Sequence, residues 1–258
     1  MKIIYFDNNA TTRVADEVYE AMEPYLRTFY GNPSSMHTFG GQVGVKIRQA
    51  RESVARLLGC DPSEIIFTSC GTESDSTAIL GTLSAVPHRR KVITTRVEHP
   101  AVLTVCRDLE SRGYTVIELS VDKLGRLDLS ELEHHLDDDT ALVTIMYANN
   151  ETGVIFPIEQ IAEMVTSRGV IFHTDAVQIV GKMPLNLAKS RINLLSLSGH
   201  KLHAPKGVGA LYVKRGTRIS PFLLGGHQEG GRRAGTENVP GIIGLGKACE
   251  LALMYMED

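Results

Sequence analysis

Apolar residues recur along the chain in two periods. Val14, Val18, Met22 and Leu26 fall at helical spacing, as do Val43, Ile47, Val54 and Leu58, which predicts one helix and then a second over residues 41–58. Gly31-Asn32-Pro33-Ser34-Ser35 breaks the first, and Gly59 closes the second. Ahead of both, residues 2–6 read as a short strand that runs into the polar, turn-forming segment Asp7-Asn8-Asn9-Ala10-Thr11-Thr12. From Glu64 onward, short apolar runs alternate with amphipathic stretches. The runs at 65–68, 92–95, 115–119, 141–147, 170–173, 193–197 and 209–213 predict strands, and 73–85, 101–112, 130–136 and 158–168 predict helices. Pro240 opens a last helix through Leu245, Leu251 and Met254. This alternation implies an α/β domain with a mostly parallel, mixed sheet covered by helices on both faces. Run 209–213 comes after 193–197 without a helix between, so one antiparallel neighbour is expected.

Composition narrows the picture. With 258 residues and 43% hydrophobic content, the chain can bury one large domain, or one and a half. No apolar run approaches a membrane span, and the stretch before Asp7 is too short for a signal peptide, so a cytoplasmic location without a membrane partner is expected. A net charge of −3 and the lack of a long basic block argue against a nucleic-acid partner, and His88-Arg89-Arg90-Lys91 reads as a solvated loop. The four cysteines form no C-x-x-C pair and the nine histidines no metal-ligand spacing, so neither a metal site nor a disulfide framework is expected.

Candidate chemistry lies just past the end of each strand, because ligands of open α/β sheets sit beyond the carboxyl ends of the strands. Run 65–68 leads into Ser69-Cys70-Gly71-Thr72-Glu73-Ser74, a glycine and hydroxyl turn at a helix start, suited to an anion. The later ends supply Glu98-His99-Pro100, then Asn149-Asn150-Glu151-Thr152-Gly153, then Asp175-Ala176-Val177-Gln178, and finally Ser198-Gly199-His200-Lys201. An anion cradle, an imidazole, an amide, a carboxylate and an amine form the set that pyridoxal phosphate requires. A semi-buried Lys201 with cationic neighbours would have the lowered pKa of an imine-forming amine. Each residue also has a plainer use: Thr72 and Asp175 as helix caps, His99, Asn149 and Asn150 as turn formers, Gln178 as a surface amide, His173 and His203 as core or rim histidines.

Together with Gly31-Asn32-Pro33-Ser34-Ser35-Met36-His37, His173-Thr174-Asp175-Ala176-Val177-Gln178 and Arg232-Arg233-Ala234-Gly235-Thr236-Glu237-Asn238, these motifs resemble the NifS/IscS group of cysteine desulfurases, nearer the NifS branch. That group lies within the class V aminotransferases, fold-type-I enzymes with an aspartate aminotransferase-like large domain. The resemblance is collinear from Tyr5 to the end of the chain. It implies pyridoxal 5'-phosphate joined to Lys201 as an aldimine, with Lys201 and His99 catalytic. It also implies His99 stacked on the ring, Asp175 on the pyridine nitrogen, Gln178 on the ring hydroxyl, and Asn150 near ring and substrate. Gly71, Thr72, Ser198 and His200 would hold the phosphate, and Thr236 would reach the phosphate of a neighbouring subunit in a homodimer. The implied reaction takes L-cysteine to L-alanine and leaves sulfur as a persulfide for an iron–sulfur scaffold or other acceptor protein.

The resemblance also divides the chain into an N-terminal segment at 1–15 that packs near the small domain and active site, a cofactor-binding large domain at 16–239, and at 240–258 the start of the helix leading to a small domain. In the family, the sulfur-accepting cysteine and the arginine that grips the substrate carboxylate lie in the C-terminal part, so cofactor binding without sulfur transfer is the expectation for these residues. Cys70 and Ser76 stand where the family usually has glycine and asparagine. A selenocysteine lyase, or another class V enzyme, shares much of the set, and a non-catalytic scaffold role is the reading from outside enzymology. Glu98-His99-Pro100 and Arg233-Ala234-Gly235-Thr236 favour the desulfurase.

Overall fold

A computed structural model describes residues 4–256. Its centre is a seven-stranded sheet made of β1 (Ile65–Thr68), β2 (Lys91–Thr95), β3 (Thr115–Leu119), β4 (Thr140–Thr144), β5 (Ile171–Asp175), β6 (Leu194–Ser198) and β7 (Gly209–Val213). The strand order is β1-β7-β6-β5-β4-β2-β3, with β7 antiparallel to both β1 and β6 and the other pairs parallel. The expected antiparallel neighbour is therefore present twice over. Because β7 reverses between them, β1 and β6 point the same way, and the carboxyl ends of β1, β2, β4, β5 and β6 open on one edge.

The central strands are apolar on both faces because both faces are covered. Ile65, Phe67, Leu195, Leu197 and Tyr212 share a core with α3 (Thr38–Leu58), α7 (Ile158–Ser167) and α8 (Val239–Tyr255). Alternate residues pack against the opposite layer. There Ile66, Leu194 and Leu211 meet Ala78 of α4 (Gly71–Ala85), and Val92 and Leu142 meet Val102 and Leu109 of α5 (Pro100–Ser111). The helix α6 (Leu129–His135) lies against β3. The end of α3 is set by Gly59, whose φ of 65° is the left-handed cap conformation.

Three expectations are corrected. The first helix is two, α1 (Asp16–Met22) and α2 (Pro24–Arg27), since Pro24 has no N–H to continue the ladder and starts a new segment instead. The strand expected over 2–6 does not form across its described residues. Ile4 and Phe6 are exposed with no sheet edge beside them, and Lys2 and Ile3 lie outside the described residues. The fourth strand ends at Thr144 rather than Tyr147, because beyond it the chain turns its Met146 N–H away to Glu98 Oε1 at 3.0 Å. Among the described residues no helix is long and apolar enough to cross a membrane.

Candidate active site

The five strand ends frame a cleft of about 530 Å3. Gly71, Thr72, His99, Asn150, Asp175, Gln178, Ser198, His200 and Lys201 all line it. Thr236 does not; it lines a separate small recess with Arg233, Glu237 and Asn238. One end of the cleft is built for an anion. Cys70, the residue before α4, is fully extended and its side chain caps nothing, so the N–H groups of the first turn stay available on the cleft side. A Cβ on Gly71 would sit 3.0 Å from Val177 Cγ2 and 3.4 Å from Ser198 Cβ, so glycine lets the turn close onto the ends of β5 and β6. The hydroxyls of Thr72 and Ser198 add donors, and the His200 ring is oriented by Thr11 Oγ1, 3.1 Å from its Nδ1.

At the other end stands Lys201. Its amine donates to the carbonyls of Asn9 and, at 2.9 Å, of Ala10. Its pKa is lowered, as the sequence suggests, by burial, which disfavours the ammonium; the expected help from cationic neighbours is absent, and the charges that act on it, Asp175 and Asp7, oppose the shift. The N-terminal segment is laid across the cleft mouth. Gln178 Nε2 donates to Asn9 O at 3.1 Å, Thr12 N donates to His200 O at 2.9 Å, and His203 N donates to Thr12 Oγ1 at 2.8 Å.

His99 is both a cleft wall and a helix cap, since its Nδ1 accepts the Ala101 N–H at 3.1 Å in front of Pro100. That bond places the proton of a neutral His99 on Nε2, so the ring presents a donor rather than a base to the cleft. Asp175 ends β5 instead of lying past it. One of its oxygens accepts the Val177 N–H at 2.9 Å, and burial raises its pKa against the pull of that bond, His99 and Lys201. Asn150 bonds Glu151, whereas Asn149 builds the turn: its Oδ1 accepts from Glu151 N and Thr152 N, and its Nδ2 donates to Val97 O.

Apart from Asp175, the sequence assigns no chemistry to the layer beneath. Thr144, His173, Asp175 and Ser196 face α4 from three neighbouring strands, and Asp75 descends onto them from α4. His173 is fully buried between Thr144 Oγ1, 2.8 Å from Nδ1, and Ser196 Oγ, 2.9 Å from Nε2. Burial pushes its pKa down to about 3, so the ring is neutral. Glu98 is also buried, with Oε1 accepting from Thr95 Oγ1 and Met146 N, and burial pushes its pKa up to about 8. His173 is the core histidine that the sequence offered as its plainer use, whereas Glu98 and Asp75 were visible only beside marked residues: Glu98 precedes His99, and Asp75 comes three residues after Thr72.

Glu98 gives the fold a testable pH dependence. The folded protein holds this proton up to about pH 8, whereas an unfolded chain releases it near its ordinary value of 4.5. Between those values the folded state binds more protons, so this group lowers stability as pH rises. Glu98→Gln is expected to gain on the wild-type chain, by a few kcal/mol on an order-of-magnitude scale, between about pH 5 and pH 8. Urea denaturation at both pH values checks this, and an unchanged difference would rule it out.

An open α/β sheet with a lysine, an aspartate and a helix-start anion cradle at one edge defines a fold-type-I transferase scaffold. The aminotransferase class-V family model matches residues 4–257. A cysteine desulfurase of Trichormus azollae is 66% identical over 257 residues, covering 100% of this chain and 64% of that protein. The cysteine desulfurase NifS of Azotobacter vinelandii is 62% identical, with 100% and 64% covered. A solved structure described as a NifS-like protein superposes with a TM-score of 0.96 at 45% identity, covering 99% of this chain and 71% of its own. The chain belongs to the class-V aminotransferase family, among relatives named as cysteine desulfurases. Members of this family depend on pyridoxal phosphate. The chain spans 64% of the length of these curated relatives.

Proposed function

We propose that the chain is the cofactor-binding part of a cysteine desulfurase and holds pyridoxal 5'-phosphate on Lys201. The observation that carries this reading is the convergence of nine expected residues, drawn from five strand ends, on one cleft. The residues fit the group. Gly71 leaves room that a Cβ would fill, the uncapped start of α4 suits a phosphate, and Asp175 suits a protonated ring nitrogen. When bound, the cofactor supplies an electron sink for bonds at the Cα of an amino acid. The chain's own residues do the rest. Thr72, Ser198 and His200 orient the phosphate, Asp175 holds the proton on the ring nitrogen, and Gln178 turns from Asn9 toward the ring hydroxyl. His99 covers one ring face and offers its Nε2 proton, Asn150 lies near ring and substrate, and Lys201, released from Asn9 and Ala10, carries protons at Cα.

In the whole protein the substrate would be L-cysteine, the product L-alanine, and the sulfur would pass as a persulfide to an iron–sulfur scaffold or other acceptor, in a cytoplasmic homodimer. Thr236, turned away from its own cleft, would serve the partner's phosphate. Three of the four thiols, all away from the cleft, are poor acceptors. Burial, aided by neighbouring carboxylates, pushes Cys60 and Cys106 up to about 12 and raises Cys249 further. Sulfur acceptance by these three is thereby disfavoured.

The test is a visible spectrum of the purified chain, then borohydride reduction and peptide mapping, then incubation with L-cysteine. Cofactor fixed to Lys201 without sustained sulfide release is expected. A colourless chain with no modified lysine would overturn the cofactor reading, and full turnover would overturn the assignment of sulfur transfer to residues outside this chain.

A further inference from the structure

Asp75 is 1% exposed, yet it lines the floor of the cleft. Among the described residues its Oδ1 has no hydrogen-bond partner, and it lies 3.6 Å from His173 Nε2, too long for a hydrogen bond. The neutral imidazole gives it no counter-charge. Ser196 Oγ, 2.9 Å from His173 Nε2, also lies close enough to the Asp75 carboxyl to favour its anion, so Asp75 stands beside a row of exchangeable protons, Ser196–His173–Thr144, that crosses three strands. Ser196 is the register partner of Asp175. This row of protons thus passes directly beside the carboxylate that the proposed function uses.

Two buried acids share this floor, and their surroundings push them apart. Asp175 faces His99 and Lys201, both of which favour its anion, and accepts the Val177 N–H. Among the described residues no cation pairs with Asp75. Burial, the charge of Asp175, and then Glu98 and Cys70 all raise its pKa, with only Ser196 opposing. Paired acids in such unequal settings divide one negative charge unequally.

We infer that Asp75 is a positioning residue of the cleft: a neutral carboxylic acid that, through Ser196 and His173, fixes the proton arrangement beneath Asp175 and leaves Asp175 as the floor's anion. With its proton on, Asp75 donates toward Ser196, the serine hydroxyl donates to His173 Nε2, and His173 Nδ1–H donates to Thr144. With the proton lost, every one of these bonds reverses and a second anion faces Asp175. A pyridine nitrogen held by Asp175 would then sit over two negative charges rather than one. The inference rests on the proposed cofactor reading, but its first test does not use the cofactor.

That test is infrared spectroscopy of the cofactor-free chain at neutral pH, with its aspartates labelled by 13C at the side-chain carboxyl. A protonated-carboxyl stretching band that shifts on labelling is expected, and it should persist in Asp175→Asn and vanish in Asp75→Asn. Absence of a label-shifted band in the unsubstituted chain, or its loss in Asp175→Asn with survival in Asp75→Asn, would overturn the inference. The band in the unsubstituted chain and in Asp175→Asn decides the matter even if Asp75→Asn fails to fold.

Cofactor uptake supplies the second readout. Asp75→Ala should weaken uptake by about tenfold or more, and Asp75→Asn, neutral and of the same shape, should restore it to within about threefold. Equal losses from both substitutions, or none from alanine, would count against the positioning role. Failure of the unsubstituted chain to fix cofactor on Lys201 would strike the proposed function while leaving the infrared result standing.

Discussion

Lys201→Ala is expected to abolish covalent capture of pyridoxal phosphate, cutting the borohydride-fixed yield by roughly a hundredfold or more, because it removes the one nucleophilic amine among the described residues lining the cleft. The effect should be specific. Lys182 also has a pKa lowered by burial and by Lys201, but it bonds Gln178 Oε1 at 2.9 Å outside the cleft, so Lys182→Ala should retain most of the yield. A second consequence belongs to this chain's own architecture. The Lys201 amine holds the carbonyls of Asn9 and Ala10, so removing it should loosen the segment over the cleft mouth and quicken proteolysis before Thr12. Mass mapping of the reduced protein and a timed digest read the two effects separately. Undiminished labelling in Lys201→Ala, or labelling that moves to Lys182, would refute the assignment.

The site was legible to the extent that it obeys a topological rule. Strand ends in a parallel sheet point to one edge, so residues at 71–72, 99, 150, 175–178 and 198–201 could be gathered without knowing any distance. Thr236 could not be placed by that rule, since no strand leads into it; it lies apart in its own recess. The N-terminal segment misled in another way. The run Ile3-Ile4-Tyr5-Phe6 has the apolar density of a strand, but a strand needs an edge to pair with, and the chain instead spends its next residues bonding His200 and His203. The buried layer of Asp75, Glu98, His173 and Ser196 was the least visible part. Its members come from four different elements, and a polar residue inside an apolar strand looks the same in sequence whether it meets water, a helix or another polar group. Of the two causes assigned to the lowered pKa of Lys201, burial held and cationic neighbours failed, because the charges that face the amine in the assembled cleft are the carboxylates of Asp175 and Asp7 and not its neighbours along the chain.

Glu229→Ala is expected to destabilise the fold by about 3–5 kcal/mol, the usual cost of removing one partner from a buried ion pair. Glu229 is 8% exposed and sits at φ 51°, in the left-handed region that side chains rarely adopt. Its carboxylate grips Arg51 through two bonds of 2.6 and 2.7 Å and accepts the Phe67 N–H at 2.9 Å. Arg51 in turn donates to Ile65 O at 2.8 Å and lies 4.5 Å over the Phe67 ring. Alanine would leave a guanidinium and a strand N–H without their acceptor while keeping the strained backbone. The melting temperature should fall by on the order of 10 °C, using about 2–4 °C per kcal/mol for a chain of this size. Arg51→Met alone should cost a similar amount by stranding the carboxylate, and the double variant should cost clearly less than the two singles together. Strict additivity would show that the pair is not the coupled unit the geometry describes. The same loop is tied a second time, by Arg233 to Glu73 at 2.8 and 3.2 Å, and Glu73 also accepts the Ser69 N–H of the anion turn. Losing Glu229 should therefore leave the Thr236 stretch attached at the cleft side while freeing its other anchor. Hydrogen exchange should then rise at Phe67 and around residue 229 before it rises at Ser69.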